Sequence, residues 1–453
     1  MKIINGSEFD SYWKKETKNI EDPKTEKTVK KIIADVRARG DSAVRKYASK
    51  FDKASPYNLE IPFSKAKEAL DELRKNDPKL TDVLELAAKH IWTFSGKQKE
   101  QFSCFDYKME EGLFTGQRVI PVQKAAVYIP GGRYPLFSSV LMCMIPALCA
   151  GVEELILSSP PAEDGLPDRR TLAAAAVAAV VGNPNTAVKI RIFAMGGAQA
   201  IAALALGTEI VPRVDIIAGP GNKYVACAKR ILFGEVGIDF IAGPTDVLVI
   251  SDNAYNEQLS VSNERAAELI AADMIGQAEH DVDARSRALV PDREMAEKIV
   301  KAVNLRLEKL NDINPVCAKT ARTSLERGGL IIIWKDMEEA VRIANIIAPE
   351  HLELQTANDD AWIPLLKNYG SLFIGYLSAE ALGDYSAGVN HTLPTQTSAR
   401  FTGGLSVRHF LKTVTTLRCT PGEGFEKARL ATEILARAEG LEGHAQSAGI
   451  RKE

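Results

Sequence analysis

The feature that most constrains the fold is a series of short apolar runs that alternate with helical stretches from about residue 124 onward. Runs such as "KAAVYIPGG", "EELILSSPP" and "VDIIAGPGNKY" each pass from an apolar segment into a turn rich in glycine or proline. Strands that are buried on both faces and joined by helices form parallel sheets with helices on each side. The alternation resumes at "GGLIIIW" and "SLFIGY", so the sequence predicts an α/β fold with two such regions.

Composition and charge argue against several functional classes for this chain. The chain has 453 residues and a net charge of −2, so it lacks the basic surface of a protein that binds nucleic acid or anionic membranes. Its apolar run at residues 172–181 has half of the ~20 residues that a membrane span needs, and predicts a packed helix. The N-terminus lacks a secretory signal pattern and the six cysteines form no CxxC pair, so a reducing, cytoplasmic location and a small polar substrate are expected.

Three glycine-rich turns follow predicted strands. They are "IPGG", "MGGAQA" and "GPGNKY", and none fits the dinucleotide pattern GxGxxG, because Tyr224 stands at the third glycine. Glycines at a strand-to-helix turn let the helix N-terminus face a phosphate, but ordinary tight turns also use glycine. Three such turns in one predicted sheet favour a nucleotide-like ligand, expected at the carboxyl ends of the strands.

Two polar residues interrupt the apolar segment "IIAPEHLEL", where Glu350 and His351 stand side by side. They are either a strand end at the surface or two proton-transfer groups mounted on a rigid element. On an extended segment adjacent side chains point to opposite faces, so joint action would need a local bend. Pro349 is expected to hold Ala348 in extended geometry and help to set that bend.

Other histidines also stand near amide or acidic groups. In "GQAEHD", Gln277 and His280 are three apart on one helix face, which is either an exposed helix end or a metal site. Asp384 lies in a segment predicted to be a glycine-flanked loop, and Glu439 and His444 flank Gly440 and Gly443. Together these groups indicate an α/β enzyme that uses a metal, a nucleotide or both.

In the same order along the chain, these segments resemble the histidinol dehydrogenase family. The matching blocks, which span about residues 120–446, are "YIPGGRYPLFSSVLM", "GGAQAIAALA", "AGPGNKYV", "AGPTDVLVI", "GQAEHD", "APEHLEL", "GDYSAGVNHTLPT", "ARFTGGLSV" and "AEGLEGHAQS". The resemblance implies oxidation of L-histidinol through an aldehyde to L-histidine, the last step of histidine synthesis. It also implies reduction of two NAD and one zinc ion per active site.

The resemblance assigns roles to individual residues. It implies zinc ligands at Gln277, His280, Asp384 and His444, acid–base catalysis by Glu350 and His351, NAD contacts at Tyr128, Gln199 and Asn222, and substrate contacts at Thr245, Gln277, His280, His351, Asp384, Glu439 and His444. Glu439 and His444 would reach into the neighbouring subunit, which implies a homodimer with an exchanged tail.

A domain organisation follows from the resemblance and the pattern together. Two Rossmann-like, aldehyde-dehydrogenase-like parallel-sheet domains are expected, with small helical segments at residues 1–22 and 406–453. Residues 23–127 with 246–405 would form a discontinuous domain that carries the acid–base pair and metal ligands, and residues 128–245 would form the domain that contacts NAD.

The expected chemistry needs these residue types. An alcohol, with a pKa near 15.7, lies roughly 9 units above histidine, a mismatch of about 12 kcal/mol that zinc can largely remove. His351 is expected to accept protons in both oxidations, and Glu350 to activate water for the second. Cys143 and Cys149 lie in an apolar helix and are expected to be inert rather than thioester-forming.

Some positions depart from the family pattern, and two other functions stay open. Asp246 stands where the family usually has Glu, Val389 where Pro is common, and residues 160–185 are expected to form an extra surface helix or loop. One alternative is a paralogue that oxidises a different polar alcohol. The other is a zinc hydrolase in which Glu350 activates water and no hydride is transferred.

Overall fold

The computed structural model describes residues 1–16, 22–52, 54, 58–131, 135–182, 188–252 and 262–452. The strands are β1 Lys2–Asn5, β2 Glu60–Ile61, β3 Phe105–Glu110, β4 Leu113–Pro121, β5 Lys124–Tyr128, β6 Glu154–Ser159, β7 Lys189–Ala194, β8 Ile216–Ala218, β9 Gly237–Ile238, β10 Asp246–Ser251, β11 Arg285–Val290, β12 Leu330–Ile333, β13 His351–Gln355, β14 Ser371–Ile374 and β15 Leu411–Cys419. The α-helices are α1 Phe9–Glu16, α2 Pro23–Phe51, α3 Ser64–Asn76, α4 Pro78–Lys99, α5 Ser138–Ala150, α6 Arg169–Gly182, α7 Gly197–Leu206, α8 Lys223–Leu232, α9 Asn263–Ala278, α10 Arg293–Ile313, α11 Pro315–Gly328, α12 Met337–Ile347, α13 Asp359–Trp362, α14 Glu380–Tyr385, α15 Glu423–Ala438 and α16 Glu442–Gly449. Short 3-10 turns occupy Gly6–Glu8, Ile363–Leu365, Ser398–Arg400 and Val407–Phe410.

Two six-stranded sheets organise the fold. The first has the order β1-β12-β11-β10-β13-β14 and is parallel throughout. The second has the order β2-β7-β6-β5-β8-β9 and is parallel except where β2 pairs with β7. Central strands such as β6, β10 and β13 are buried along their whole length, as strands covered by helices on both faces must be. The predicted α/β class with two parallel sheets is confirmed.

Helices of the first hundred residues pack on the second sheet. Val29 and Ile33 of α2 share a core with Leu204 of α7, while Leu84 of α4 shares another with Met142 of α5. The sequence analysis had grouped residues 23–127 with 246–405, and the observed packing differs from that grouping. Apolar periodicity tells which face of a helix is buried but not which sheet buries it, so the pattern could not decide this point. The domain boundaries themselves stay a prediction.

The N-terminal segment also differs from the expected helix. Its strand β1 pairs in parallel with β12 of the first sheet, ahead of α1. The run at residues 172–181 lies in α6, whose side chains from Thr171 to Ala178 are buried, so this part of residues 160–185 is packed rather than on the surface. No helix among the described residues is long and apolar enough to cross a membrane.

A small third sheet carries the C-terminal tail. Strand β15 pairs with β4 in an antiparallel register from Leu411–Pro121 to Cys419–Leu113, and β3 pairs with the other edge of β4. The tail therefore contains a nine-residue strand before its two helices, α15 and α16. Gly440, at φ 79°, separates those helices, a backbone conformation that suits glycine.

Candidate active site

A cavity of about 180 Å³ lies between the two large sheets. From the second sheet it is lined by residues that follow β5 and β8, at the carboxyl ends of the strands, as expected for a parallel sheet. From the first sheet it is lined by Thr245, Glu350 and His351, which stand at the amino ends of β10 and β13. The expectation of a site at carboxyl ends therefore holds for only one of the two sheets.

Glu350 is buried and held by three hydrogen bonds. Its Oε2 accepts from the Thr245 hydroxyl and, at 3.1 Å, from the Asp246 N–H, while its own N–H donates to Asp246 Oδ1 at 3.0 Å. Burial raises the pKa of the Glu350 carboxyl well above its usual value, against the opposing effect of the Thr245 hydrogen bond. The Glu350 carboxyl therefore binds a proton more readily than an exposed glutamate does.

The bend before Glu350 comes from Ala348, in a conformation opposite to the extended one that was predicted. Ala348 is left-handed, with φ 49° and ψ 62°, and its N–H donates to Ala344 O as the C-cap of α12. Closing a helix commonly uses the left-handed region, and here this requirement outweighs the preference imposed by Pro349. The chain thus turns at the end of α12, and Glu350 and His351 both reach one cavity.

His351 presents an unpaired ring nitrogen. Its Nδ1 lies 2.9 Å from Gln277 Oε1. Because an amide oxygen can only accept, Nδ1 carries the proton and Nε2 keeps its lone pair. Nε2 is buried without a hydrogen-bond partner and lies 3.8 Å from Asp384 Oδ1. Burial lowers the pKa of His351 to about 4, so the imidazole is neutral and able to accept a proton at neutral pH.

Three ligand-type side chains cluster beside the His351 ring. Single ligand atoms of His280, Glu380 and Asp384 all lie within 4.8 Å of one another, with His280 Nε2 3.8 Å from Asp384 Oδ2. Two ligands of a tetrahedral zinc ion, each at about 2.0–2.1 Å, stand roughly 3.4 Å apart, so the donor set and spacing fit zinc. Burial, followed by repulsion from Asp384, raises the pKa of Glu380, which is the electrostatic setting that a cation would relieve.

The positions of the proposed ligands refine the sequence interpretation. Gln277 lies in the last turn of α9 and its Nε2 donates to Thr245 Oγ1 at 2.7 Å, while His280 follows in the turn after that helix. Asp384 lies in helix α14 and not in a loop as predicted. The glycines around it suggested a turn, but Gly383 packs inside the helix against Phe373 and Val389.

Glu380 was missed by the sequence analysis. It begins helix α14, four residues before Asp384, so the two carboxylates share one helix face. That spacing was a usable signal once the segment was recognised as helical. Its backbone N–H donates to Glu353 Oε1 at 3.1 Å, which ties the start of α14 to strand β13.

Three predicted cofactor residues border the glycine-rich turns of the second sheet. Tyr128 ends β5 and its hydroxyl accepts from the Gly197 N–H at 3.0 Å. Gln199 lies in the first turn of α7, and Asn222 caps α8 by accepting from Tyr224 N and Val225 N. Gly219, at φ 112°, passes so close to the Tyr128 carbonyl that any side chain there would collide.

Glu439 and His444 lie apart from this cavity within the chain. Both are exposed on the C-terminal helices, and neither is among the described residues that line the cavity. Cys143, by contrast, is buried near the site beside Thr392, and burial raises the pKa of its thiol to about 12. A thiol this buried is a poor nucleophile, in line with the prediction of an inert cysteine.

Comparisons with known proteins agree on one family. A family model described as histidinol dehydrogenase matches residues 15–452. The chain is 43% identical to the histidinol dehydrogenase of Aquifex aeolicus over 94% of this chain and 92% of the relative. It is 42% identical to that of Thermus thermophilus, with 95% of each covered. A crystal structure of histidinol dehydrogenase from Elizabethkingia anophelis superposes with a TM-score of 0.85 at 32% identity, covering 99% of this chain and 97% of that one.

Proposed function

The chain belongs to the histidinol dehydrogenase family, and we propose that it oxidises L-histidinol through L-histidinal to L-histidine with one zinc ion per active site. The family consists of NAD-dependent oxidoreductases that act in histidine biosynthesis. Membership argues against the zinc hydrolase alternative, in which no hydride moves. Two NAD molecules are reduced per substrate, because conversion of an alcohol to an acid removes four electrons.

One observation carries the proposal. A neutral imidazole with a free lone pair, a buried carboxyl with a raised pKa and two cation ligands, His280 and Asp384, all line one cavity. Perturbed titratable groups that converge from separate elements are typical of catalytic sites. Each of the three sequence segments that supply them would have an ordinary structural explanation alone.

The proposed zinc ligands are Gln277, His280 and Asp384, completed by His444 of the partner subunit. The spacing of His280 and Asp384 supports the first part of this set. The Gln277 amide is held by its bonds to Thr245 and His351, and its oxygen has a second lone pair to offer a metal. When bound, zinc supplies Lewis-acid chemistry that lowers the pKa of a hydroxyl group to about 7.

His351 is the proposed proton acceptor. Its Nε2 faces the cavity and lies beside Asp384, and its Nδ1–H is fixed by Gln277, so the ring is oriented with the lone pair inward. In each oxidation this nitrogen takes the proton that a hydroxyl group gives up while hydride leaves the neighbouring carbon to the nicotinamide. A positioned base of this kind typically contributes about 10²–10⁴-fold to the rate.

Glu350 is proposed to activate water for the second oxidation. The aldehyde must add water before a second hydride can leave, and this step needs a base aimed at the water. Burial raises the pKa of the Glu350 carboxyl, which makes its ionised form a stronger base toward water. Thr245 is proposed to contact the substrate. Its hydroxyl also donates to Glu350, so the same residue connects substrate binding with the proposed base.

The NAD site is proposed along the carboxyl edge of the second sheet, at Tyr128, Gln199 and Asn222. Tyr128 ends β5, whereas Gln199 and Asn222 follow β7 and β8. Helices α7 and α8 point their N-termini toward that edge, where phosphate groups are stabilised. Residues of the turns after β5 and β8 line the cavity. The nicotinamide ring is therefore proposed to enter from those two turns.

A homodimer with an exchanged tail is proposed from the surface of that tail. Six large apolar side chains in this tail are exposed to solvent: Leu417, Leu430, Ile434, Leu435, Leu441 and Ile450. A concentration of exposed large apolar side chains in one segment favours a protein interface. Burying it against a second copy would bring that copy's Glu439 and His444 to the substrate.

The six cysteines are all free, which supports the proposed cytoplasmic location.

The test is the ratio of NADH formed to histidinol consumed by the zinc-loaded protein. The proposal predicts two NADH per histidinol and histidine as the product. A ratio of one would mean an alcohol dehydrogenase that stops at the aldehyde. No histidinol-dependent NADH, with activity on another polar alcohol, would support the paralogue instead.

A further inference from the structure

We propose that Asp52 binds the 2′-hydroxyl of the adenosine ribose of the dinucleotide and thereby selects NAD over NADP. The inference rests on the NAD site of the proposed function. Asp52 belongs to none of the resemblance-implied residues and lies in a segment where the sequence pattern indicated no chemistry.

The carboxyl of Asp52 is aimed at a glycine turn of the second sheet. Asp52 forms the C-cap of α2, and its carboxyl accepts a hydrogen bond from the backbone N–H of Gly196, which follows β7. A side chain at position 196 would collide with Asp52 Oδ1 and with Pro160, so glycine is what lets the carboxyl reach this turn. The second oxygen, Oδ2, is buried and has no hydrogen-bond partner.

A second unpaired polar atom lies at the same turn. Gln199 is 1% exposed, its amide lies against the backbone of Gly197, and its Nε2 has no hydrogen-bond partner. The Tyr128 hydroxyl reaches the same point by accepting from the Gly197 N–H. Buried polar atoms are nearly always paired, so an orphan acceptor and an orphan donor at one turn point to a polar ligand between them.

The strand order identifies which end of the dinucleotide would lie there. The catalytic cavity is lined from the turns after β5 and β8, and among the described residues no lining residue follows β6 or β7. The order β7-β6-β5-β8 places the Asp52 turn three strands from β8, roughly 14 Å at about 4.8 Å per strand. A dinucleotide with its nicotinamide in the cavity would place its adenosine half near β7.

The chemistry of the carboxyl fits a ribose rather than a phosphate. A carboxylate accepts hydrogen bonds from hydroxyl groups, and in dinucleotide-binding folds an acidic residue commonly holds the 2′-hydroxyl of NAD. The 2′-phosphate of NADP would meet the same carboxylate with like charge and would leave it unpaired. One residue thus favours NAD and disfavours NADP.

The test compares Asp52→Asn and Asp52→Ser with the wild-type holoenzyme, at saturating histidinol, with NAD, NADP and 2′-deoxyadenosine NAD. A hydrogen bond to a charged group corresponds to about 10- to 100-fold in affinity, so KM for NAD should rise at least about tenfold with kcat unchanged. The ratio of kcat/KM for NADP to that for NAD should rise by a similar factor. The matched control Asp71→Asn, on the exposed face of α3, should leave all values unchanged.

The deoxy cofactor separates a direct contact from a structural effect. Wild type should bind 2′-deoxyadenosine NAD about tenfold more weakly than NAD. This difference should shrink in Asp52→Asn, whose amide oxygen still accepts a neutral hydrogen bond, and disappear in Asp52→Ser, whose side chain is shorter. Equal binding of both by wild type, or an unchanged NADP preference in a folded variant, would overturn the proposal. Failure of wild type to reduce NAD with histidinol would instead count against the proposed function.

Discussion

Asp246 and Glu350 hold each other by two reciprocal hydrogen bonds at the amino ends of neighbouring strands. The Asp246 N–H donates to Glu350 Oε2, and the Glu350 N–H donates to Asp246 Oδ1. The other oxygen of Asp246 accepts from Arg287 Nη1 at 2.9 Å, and Arg287 also pairs with Glu16 of α1. Asp246 therefore connects the buried Arg287 to the carboxyl that is proposed to activate water.

Asp246→Asn should destabilise the fold. The change removes one charge from a pair whose side chains are 11% and 5% exposed, and among the described residues it leaves Glu16 as the acidic partner of Arg287. Breaking a buried pair costs about 3–5 kcal/mol, so we expect a loss of about 3 kcal/mol in the free energy of unfolding in urea. Asp283→Asn, which breaks an exposed pair with Arg327, is the control and should cost about 0–1 kcal/mol. Equal effects of the two changes would contradict the buried network.

Glu350→Gln should separate the two oxidations. The amide keeps an acceptor for the Asp246 N–H but cannot take a proton from water, so the second step should slow by about 10²–10⁴-fold. The NADH-to-histidinol ratio in a single turnover should fall from two toward one while histidinal accumulates. His351→Asn should abolish both steps, and Glu338→Gln, exposed on α12, should change neither. Equal loss of both oxidations in Glu350→Gln would assign Glu350 a different role.

Asp52→Asn should raise stability at neutral pH when no cofactor is bound. Burial raises the pKa of Asp52 from 3.8 to about 6, so below about pH 4 the residue is protonated in both folded and unfolded states. As pH rises through 6 the folded state must retain a proton or hold a buried charge, and it loses stability relative to the unfolded state. After allowance for solvent screening, we expect a gain of about 1 kcal/mol for the variant near pH 8 and none near pH 4. Urea denaturation at the two pH values measures this, and a pH-independent difference would contradict it.

Co-expression of two inactive variants should restore activity if the tail is exchanged. A subunit with His444→Ala keeps its own Glu350 and His351 and can borrow an intact tail from a His351→Asn subunit. Random pairing in a two-fold symmetric dimer makes half of the dimers mixed, each with one complete site, so activity should reach about one quarter of wild type. Each variant alone should stay inactive. If His444 acts within its own chain, the mixture stays inactive too.

The fold was predictable where local patterns decide it. The apolar runs within strands such as Leu330–Ile333 and Glu154–Ser159 are short and bounded by turns, so both parallel sheets could be anticipated. The side on which α2 and α4 pack could not, because an amphipathic helix does not specify its partner. The conformation of Ala348 was predicted wrongly, because closing the helix at this residue outweighed the extended preference that Pro349 imposes.

The candidate site was predictable only in part. Glu350, His351, His280 and Asp384 could be named from their segments, and the structure brings all four to one cavity. Glu380 and Asp52 carry no motif, because their roles arise from a helix face and from a turn nearly 150 residues away that meet only in the folded chain. Glu439 and His444 are exposed and outside the cavity lining of their own chain, because their proposed site belongs to the partner subunit.

The central claim is that one cation is bound beside Glu350 and His351. The most direct measurement is an anomalous difference map collected at the zinc edge from crystals of the zinc-loaded dimer. The account predicts a single strong peak per subunit within about 2.0–2.2 Å of His280 Nε2 and an Asp384 oxygen, close to Gln277 Oε1 and His444 of the partner subunit. Absence of density between His280 and Asp384, with zinc bound elsewhere or not at all, would contradict it.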